Sequence, residues 1–326
     1  MNKNFKMLMS VICLLAILLS VSACDSEKEN ENTEAQYHTI TFNTNGGTPI
    51  ESLTVKHGTH AHAPQNPTLE NYVFCRWQLD GQAWFFDAKL VTKDITLDAL
   101  WISAESLFDI TPIGDGLGIT KIKDQKNFEY LLVPSVINGK PVVAVLDGAF
   151  ESVHNQHGQN IVFPEGITAV GAESFKNVTE PTLEFKGAIT SIGEAAFENC
   201  KSLPKITLGS GMESIPFRAF TGCTGLKTII IPSGVKTIEE NAFEGCSSML
   251  TVVLPASLEF IENSAFDDTA IISVFFMGTE QQFDAVEIAE GNDKIVDANI
   301  YYYSEEKPSQ SDIYWHYDSN GSPIIW

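Results

Sequence analysis

The sequence predicts a mainly β protein, in which a small β-rich domain precedes a solenoid of stacked repeats with a parallel sheet and a cap at each end. The first observation is a phenylalanine that recurs at intervals of 22 to 25 residues, at Phe150, Phe175, Phe197, Phe220, Phe243 and Phe266. The second is that a small residue precedes each phenylalanine and a branched aliphatic residue lies five positions before it. The third is apolar–polar alternation between residues 37 and 102, which is typical of strands. Units this short must stack and share one core.

The first 23 residues have the pattern of a secretory signal peptide. Lys3 and Lys6 precede an apolar run over residues 7–19, which is too short to span a bilayer. The motif V-S-A-C that ends at Cys24 resembles the lipobox of bacterial lipoproteins, and this resemblance implies cleavage before Cys24 and lipidation of its thiol. The alternative is an ordinary signal peptide followed by a chance cysteine. Residues 24–36 are acidic and nearly free of apolar side chains, so we expect a solvated tether.

Residues 37–102 form the predicted β-rich domain. A turn is predicted at Asn45-Gly46-Gly47. The segments with strand character are Ile40–Phe42, Leu53–Val55, Tyr72–Trp77 and Ile95–Trp101.

Three landmarks of this domain resemble the Listeria–Bacteroides repeat, also called the internalin B-repeat. They are T-F-x-x-N-G-G from Thr41, Y-x-F-x-x-W from Tyr72 and D-I-T-L-x-A-x-W from Asp94. The resemblance implies a compact β-grasp-like fold that acts as a spacer or a binding module on the cell surface. Asn71 and Arg76 stand where the family usually has glycine.

Each repeat contains a short strand with inward and outward positions. In one unit, Ile229 and Ile231 are predicted to point inward and Ile230 outward, because successive strand residues face opposite sides. The pattern I-x-x-I-x-x-x-A-F-x-x-C-x-x-L-x-x-I-x-I-P resembles the BspA-type leucine-rich repeats of bacterial surface proteins. This resemblance implies a leucine-rich repeat solenoid over residues 148–278, preceded by an N-terminal cap and first repeat at residues 103–147.

Residues 279–326 are predicted to cap the other end of the solenoid, which would otherwise expose its core. Residues 281–288 have helical periodicity, and residues 300–303 are predicted to form a last strand. The aromatic tail from Tyr314 to Trp326 is expected either to pack on this cap or to bind a partner.

The outward strand positions are the candidate ligand-binding residues. Several of them are apolar and would line up across an exposed sheet face, as interaction sites often do. The alternative is that β-branched residues suit strands wherever they occur. The candidates are Leu132, Val162, Ile230, Val253 and Phe276.

The sequence shows no catalytic or cofactor-binding motif. It lacks a nucleophile elbow, a phosphate-binding loop and the spacing of a calcium loop, so we expect neither enzyme activity nor a cofactor. His57, His60 and His62 form the only histidine cluster, and loop polarity is favoured over a metal site because no acidic or cysteine partner lies nearby in sequence. Four thiols are expected to be free and buried, those of Cys75, Cys200, Cys223 and Cys246.

Charge and resemblance together predict the class of function. A net charge of −22 argues against nucleic acid and against direct adsorption to anionic headgroups, so membrane contact is expected through the lipid anchor only. We predict an exported lipoprotein, surface exposed on the bacterial cell envelope, that recognises a host or bacterial surface protein, matrix or glycan noncovalently for adhesion or host interaction. Two alternatives remain open, a structural envelope spacer and a glycan-binding protein for uptake with a site near Trp315 or Trp326.

Overall fold

The structure is a computed structural model that describes residues 35–123, 131–153, 160–179, 182–309 and 313–326. Residues Tyr37–Trp326 form one compact unit. The predicted signal peptide, the lipidation site at Cys24 and all but the last two residues of the predicted tether lie outside the described residues. Among the helices that the structure describes, none is long and apolar enough to cross a membrane.

The N-terminal domain is a five-stranded mixed sheet. Its strands are β1 (Tyr37–Asn43), β2 (Leu53–Lys56), β3 (Tyr72–Leu79), β4 (Gln82–Ala83) and β5 (Ile95–Ser103). Their order in the sheet is β2-β1-β5-β3-β4, with β1 parallel to β5 and the other neighbours antiparallel. Alternate residues of β1 are buried, and Ile40 and Phe42 join Leu97 in the domain core as the alternation predicts.

Strand β3 belongs to two hydrophobic cores at once. Phe74 and Trp77 pack in the core of the N-terminal domain, whereas Val73 and Cys75 pack in the core of the solenoid. Alternation along the strand sends Val73 and Cys75 to one face and Phe74 to the other, and a shift in the β3–β5 register between Phe74 and Arg76 places Trp77 on the same face as Phe74. The N-terminal domain therefore closes the first end of the solenoid.

Asn71 fastens the two parts together just before β3. Its backbone is left-handed (φ 66°), a conformation that glycine and asparagine tolerate better than other residues. Its carbonyl accepts a hydrogen bond from the N–H of Ala104 (2.8 Å), and its side-chain Oδ1 accepts one from the N–H of Asn138 (2.5 Å). Asparagine at this position thus adds a side-chain contact that glycine could not make.

The chain enters the solenoid through a short helix and a hairpin. Helix α1 (Ala104–Leu107) is capped by Ser103, whose hydroxyl accepts a hydrogen bond from the N–H of Ser106. Strands β6 (Phe108–Ile113) and β7 (Gly116–Ile122) pair antiparallel.

Two rows of parallel strands run along the repeats, and each row is divided into two separately hydrogen-bonded sheets. In chain order the strands are β8 (Leu131–Leu132), β9 (Val136–Ile137), β10 (Lys140–Val145), β11 (Ile161–Phe163), β12 (Ala169–Val170), β13 (Leu183–Phe185), β14 (Ser191–Ile192), β15 (Ser214–Ile215), β16 (Thr228–Ile230), β17 (Thr237–Ile238), β18 (Thr251–Leu254), β19 (Phe260–Ile261) and β20 (Ser273–Phe276). We call the strands β8-β11-β13 and β16-β18-β20 the front sheet. The strands β7-β10-β12-β14 and β15-β17-β19 form the back sheet.

The six repeated phenylalanines form a continuous stack of buried rings. Successive ring centroids lie 5.2–5.4 Å apart, and the rings of Phe197, Phe220 and Phe243 are parallel within 2°. In the first five units the phenylalanine N–H donates to the carbonyl of the small residue one unit later, for example Phe220 to Ala242 at 2.8 Å. The small residue is buried in this corner of the solenoid, which explains why the residue is small in every unit. We call the series of hydrogen bonds between the phenylalanines and the small residues at this corner the corner ladder.

The cysteines at the third position after the phenylalanine are buried and free, which confirms the predicted inward placement. Each thiol donates to a phenylalanine carbonyl of the preceding unit; Cys223 Sγ, for example, lies 3.1 Å from Phe197 O. Thr269 occupies the same position in the last unit, and its hydroxyl donates to Phe266 O. Burial raises the pKa of the Cys246 thiol to about 12 and that of Cys223 well above its usual range.

We expect the four thiols of residues 25–326 to resist iodoacetamide at pH 8 and to react only after unfolding in urea, because the thiolate is the nucleophile. Burial also raises the pKa of Cys75 to about 12, so these groups stay protonated in the fold while unfolded thiols ionise near pH 8.5. Their contribution to stability is thus complete below about pH 8.5 and declines as pH rises from there towards 12. Mass spectrometry of the protein after alkylation measures the number of modified cysteines. The positive control is the variant Ser210→Cys, whose new cysteine replaces an exposed loop residue and should be modified in the folded protein. Modification of a native thiol at the same rate would contradict the buried placement.

The C-terminal cap continues both sheets. It contains α2 (Glu280–Phe283), β21 (Glu287–Ile288), α3 (Asp293–Val296), β22 (Asn299–Tyr303), β23 (Tyr314–Tyr317) and β24 (Pro323–Ile325). The helix predicted over residues 281–288 ends at Phe283, because β21 instead pairs parallel with β19 and extends the back sheet. Strand β22 extends the front sheet beyond β20, but it is followed by β23 and β24 and is not the last strand.

Asn292 completes the corner ladder where no further repeat follows. Its side-chain Oδ1 accepts a hydrogen bond from the N–H of Phe266 (3.0 Å), in the place of the carbonyl that the next repeat would supply. Its Nδ2 donates to the carbonyls of Glu262 (2.8 Å) and Ala289 (2.9 Å), and the residue is buried. One side chain therefore satisfies three backbone groups at the end of the array.

Candidate binding surface

The outward residues of the front sheet are the candidate site, and the structure divides them into an open and a covered part. In the open part Ile230 is 42% exposed, Thr207 is exposed, and Leu132 and Val162 are partly exposed. Glu184 lies beside Val162 in the same outward column, since the two residues are paired in register. We call the outward side chains of Leu132, Val162, Glu184, Thr207 and Ile230 the open face.

Val253 is outward but not exposed, which corrects its prediction as a surface residue. It follows Ile230 in the outward column, yet its side chain is fully buried. The indole of Trp315, from the C-terminal tail, packs over it together with Phe275, and the Trp315 Nε1 donates to Phe276 O (3.0 Å). The tail covers this end of the front sheet.

Phe276 points inward, which corrects its assignment to the outward column. It pairs in register with Leu254 and lies in the solenoid core, whereas Phe275 pairs with Val253. Leu254 and Phe276 are 22 residues apart, one fewer than the 23 that separate Ile231 from Leu254. The shorter unit moves the outward position to Phe275, which the tail covers.

The aromatic tail packs on the cap, which was one of the two expectations; the other was that the tail binds a partner. Trp315 is fully buried, and its ring makes edge contacts with Tyr303 and Tyr317 at centroid distances of 5.2 and 4.9 Å. Trp326 stacks on His316 at 3.7 Å. Trp315 therefore offers no free ring face to a sugar.

A groove lies next to the open face, where the N-terminal domain approaches β8. Its volume is about 510 Å³, and its walls come from residues 67–70, Tyr72, Phe74 and Trp101 on one side and from residues 132–136 and Pro164 on the other. Tyr72 and Val136 are exposed at its surface. Sequence reasoning found only Leu132 of this set, since nothing in the sequence signals that residues 67–74 and 132–136 meet. We call it the β8 groove.

A second concavity, of about 560 Å³, lies on the corner of the solenoid and is lined by both charged and apolar residues. Lys176 Nζ lies 2.6 Å from Glu173 Oε1 and 3.3 Å from Glu198 Oε2, and the hydrogen bond to Glu173 raises the lysine pKa. Arg218 lies 3.8 Å from Glu198 and rests over the Phe217 ring. The two cations are thus paired with the carboxylates of Glu173 and Glu198, and these ion pairs stabilise the corner of the solenoid.

The histidines do not converge. His57 Nδ1 contacts His38 Nε2 at 2.8 Å, and His38 Nδ1 lies 3.6 Å from Asp94, whereas no contact joins His60 or His62 to them among the described residues. Within the described ranges, no group of three or more His, Cys, Asp or Glu side chains is arranged to hold a metal ion.

Two family models match the chain. Residues 144–273 match the BspA type leucine rich repeat region in six copies, and residues 38–100 match the Listeria-Bacteroides repeat domain. A putative membrane protein of Evansella cellulosilytica is 31% identical over 71 residues, which are 21% of this chain. The match spans only 11% of that relative.

Solved leucine-rich repeat structures resemble the chain at low identity. A leucine rich cell surface protein from Faecalibacterium prausnitzii is 22% identical, with a TM-score of 0.49 over 67% of this chain and 59% of its own. A leucine-rich repeat protein from Eubacterium ventriosum is 18% identical, with a TM-score of 0.41 over 67% of this chain and 60% of its own. With the two family matches, the parallel strands and the stacked phenylalanines, the chain contains a Listeria–Bacteroides repeat domain at residues 38–100, followed by BspA-type leucine-rich repeats at residues 144–273.

Proposed function

We propose that this protein is a bacterial surface lipoprotein that binds a protein or glycan ligand noncovalently through the open face of its front sheet, in adhesion or host interaction. The observation that carries the proposal is the open face itself, where Ile230 is exposed on β16 and Leu132 and Val162 are partly exposed on the paired strands β8 and β11. BspA-type repeats suggest a role in protein interaction or adhesion, and such repeats are typically binding scaffolds without enzyme activity.

The shape of the sheet supports recognition of a large ligand. A stack of parallel strands holds its side chains at fixed spacing, since neighbouring strands lie roughly 4.8 Å apart. Leu132 and Val162 occupy adjacent rungs of one such column, beside the acidic Glu184. An apolar strip with a polar neighbour favours a partner with matching apolar and polar groups, because apolar contact supplies affinity and charge supplies selectivity.

The attachment to the envelope is part of the same proposal. The lysines at positions 3 and 6, the apolar run and Cys24 support export and lipidation, and the net charge of −22 disfavours any second contact with anionic headgroups. Metabolic labelling of the full chain with an alkyne fatty acid tests this. We expect label on the wild type and none on Cys24→Ser, and equal labelling of both would disprove the anchor.

The experiment for ligand binding uses residues 25–326 on a panel of matrix proteins, mucins and glycans. We expect Ile230→Asp and Val162→Asp to weaken binding by about tenfold or more, because each places a charge in an apolar contact. The matched control is Phe260→Asp on the back sheet, which is 41% exposed against 42% for Ile230 and should leave binding unchanged. Circular dichroism confirms that all variants are folded.

Each contrary outcome has a distinct meaning. Binding that survives Ile230→Asp and Val162→Asp would remove the open face from recognition. The absence of binding to every member of the panel would support the structural-spacer alternative and contradict the proposed function.

A further inference from the structure

Three strand ends meet at one end of the N-terminal sheet. His38 is the second residue of β1, His57 directly follows β2, and Asp94 directly precedes β5. Strand β1 lies between the other two, antiparallel to β2 and parallel to β5. The end of β2 and the start of β5 therefore both lie beside the start of β1, which brings together three side chains that are far apart in sequence.

The two histidines are in direct contact. Nε2 of His38 and Nδ1 of His57 lie 2.8 Å apart, and the ring centroids are 5.1 Å apart. The side chain of His38 is only 10% exposed, whereas His57 is exposed on the turn after β2. This turn is held to the chain ahead of β5, since the Gly58 N–H donates to Val91 O (2.8 Å). We call His38 and His57 the histidine pair.

Asp94 determines which nitrogen of His38 carries the proton. Its Oδ1 lies 3.6 Å from His38 Nδ1 and accepts a hydrogen bond from the Thr39 N–H (2.8 Å). The negative charge favours a proton on Nδ1, so the lone pair is on Nε2, the nitrogen that faces His57. Histidines that ligate metals usually have such a carboxylate behind them, because it fixes the tautomer and strengthens the free nitrogen as a donor.

We propose that the histidine pair binds one divalent transition-metal ion, through Nε2 of His38 and Nδ1 of His57, with Asp94 as the carboxylate partner of His38. Two imidazoles without a thiolate suit Cu²⁺ and Zn²⁺, and Cu²⁺ should bind more tightly, as the general order of divalent affinities requires. Within the described ranges no third His, Cys, Asp or Glu completes the set, so water occupies the remaining coordination positions.

The pair needs only a small movement to hold the ion. Two nitrogens bound to a tetrahedral zinc ion are roughly 3.3 Å apart, about 0.5 Å more than the 2.8 Å between the histidines. His57 makes this movement, because its side chain is exposed while that of His38 is enclosed beside Asp94. When the ion takes the place of the proton between the two nitrogens, His57 carries its proton on Nε2, so both rings remain neutral.

His60 and His62 are not part of this site. Among the described residues, no contact joins them to the histidine pair. A metal site was disfavoured from the sequence because no acidic partner lies near the three loop histidines. The partners of His57 come instead from β1 and from the residue ahead of β5, which only the sheet topology brings close.

The test uses residues 25–326, which include the whole compact unit from Tyr37 to Trp326, made without a histidine tag. Isothermal titration calorimetry with Cu²⁺ and with Zn²⁺, at about pH 7.5, where most free imidazole is neutral, measures the number of ions bound and their affinity. We expect one site per chain. His57→Ala should weaken it by about tenfold or more, because one of two protein ligands is lost. Asp94→Asn should weaken it about tenfold, because the amide still accepts from Thr39 but carries no charge.

His62→Ala is the matched control, since His62 is an exposed histidine of the same loop that makes no contact with the pair. It should leave the affinity unchanged, and circular dichroism confirms that each variant is folded. Equal affinity of the wild type and His57→Ala would overturn the proposal. An equal loss in His62→Ala would also overturn it, because the ion would then be held by the loop histidines.

Nitrogen NMR of the wild type, labelled at histidine, identifies the ligating atoms without any substitution. We expect one equivalent of Zn²⁺ to shift the signals of His38 Nε2 and His57 Nδ1 and to leave those of His316, which stacks on Trp326, in place. The absence of any shift, or shifts confined to other histidines, would remove the ion from the histidine pair.

Discussion

Replacement of Phe220 by alanine is expected to lower the free energy of unfolding by about 3–5 kcal/mol. Phe220 is fully buried in the middle of the ring stack, with centroids 5.3 Å from Phe197 and 5.2 Å from Phe243. Alanine would remove both ring contacts and leave a cavity that the flanking units cannot fill without shifting their hydrogen-bonded corners. Because repeats are stabilised by their neighbours, the loss also weakens the coupling between the two halves of the array.

Urea denaturation followed by circular dichroism measures this effect. The control is Phe217→Ala, three residues earlier, whose ring is partly exposed and lies outside the stack. We expect the control to change the stability by much less than Phe220→Ala. Equal effects of the two substitutions would show that the stack contributes nothing beyond ordinary surface packing.

The second large effect is expected from Asn292→Ala, which should lower the free energy of unfolding by roughly 2–4 kcal/mol. The substitution removes the partner of the Phe266 N–H and the donor to the carbonyls of Glu262 and Ala289, in a buried place. Each buried backbone group left unpaired costs about 1–3 kcal/mol, and water that enters the end of the array recovers part of this. The free energy of unfolding should therefore fall although no apolar contact is lost.

Two variants sharpen the measurement. Asn299→Ala removes one exposed side-chain hydrogen bond, to Ile272 O, and should have a small effect. Asn292→Asp keeps an acceptor for Phe266 but loses the donor and buries a charge, so it should also destabilise. If Asn292→Ala proved as mild as Asn299→Ala, the capping role of Asn292 would be wrong.

The repeat architecture was predictable because its signal is redundant. A phenylalanine must stack on a phenylalanine, and its N–H must reach the carbonyl of a residue small enough for the corner, so the same residue types return in each unit. The inward direction of Ile229 and the buried cysteines followed from the same period, and the structure confirms both. Local alternation and period were sufficient here because each unit sees nearly the same neighbours.

The predictions that proved wrong concern places where the repeat length changes or where a segment outside the repeats makes the contact. The segment from Val274 to Phe276 is apolar throughout, so alternation could not choose its inward residues, and a unit one residue shorter placed Phe276 inside. Trp315 covers Val253 from a tail that repeats no earlier unit, and no sequence pattern announces such a contact. The β8 groove brings residues between positions 67 and 74 to residues 132–136, although they are 58 to 69 positions apart, and their meeting depends on the shared strand β3.

The topology of the N-terminal sheet also sets how the molecule bears mechanical tension. Strand β1 runs parallel to β5 over four paired residues, from Ile40 with Ile95 to Asn43 with Asp98, and β5 leads directly into the solenoid. A pull on the chain ahead of Tyr37, opposed by a hold on the solenoid, slides these two strands along each other. All the hydrogen bonds between them then share the load together and do not open one after another. An attachment ahead of β1 would thus be joined to the solenoid by a shear-loaded strand pair.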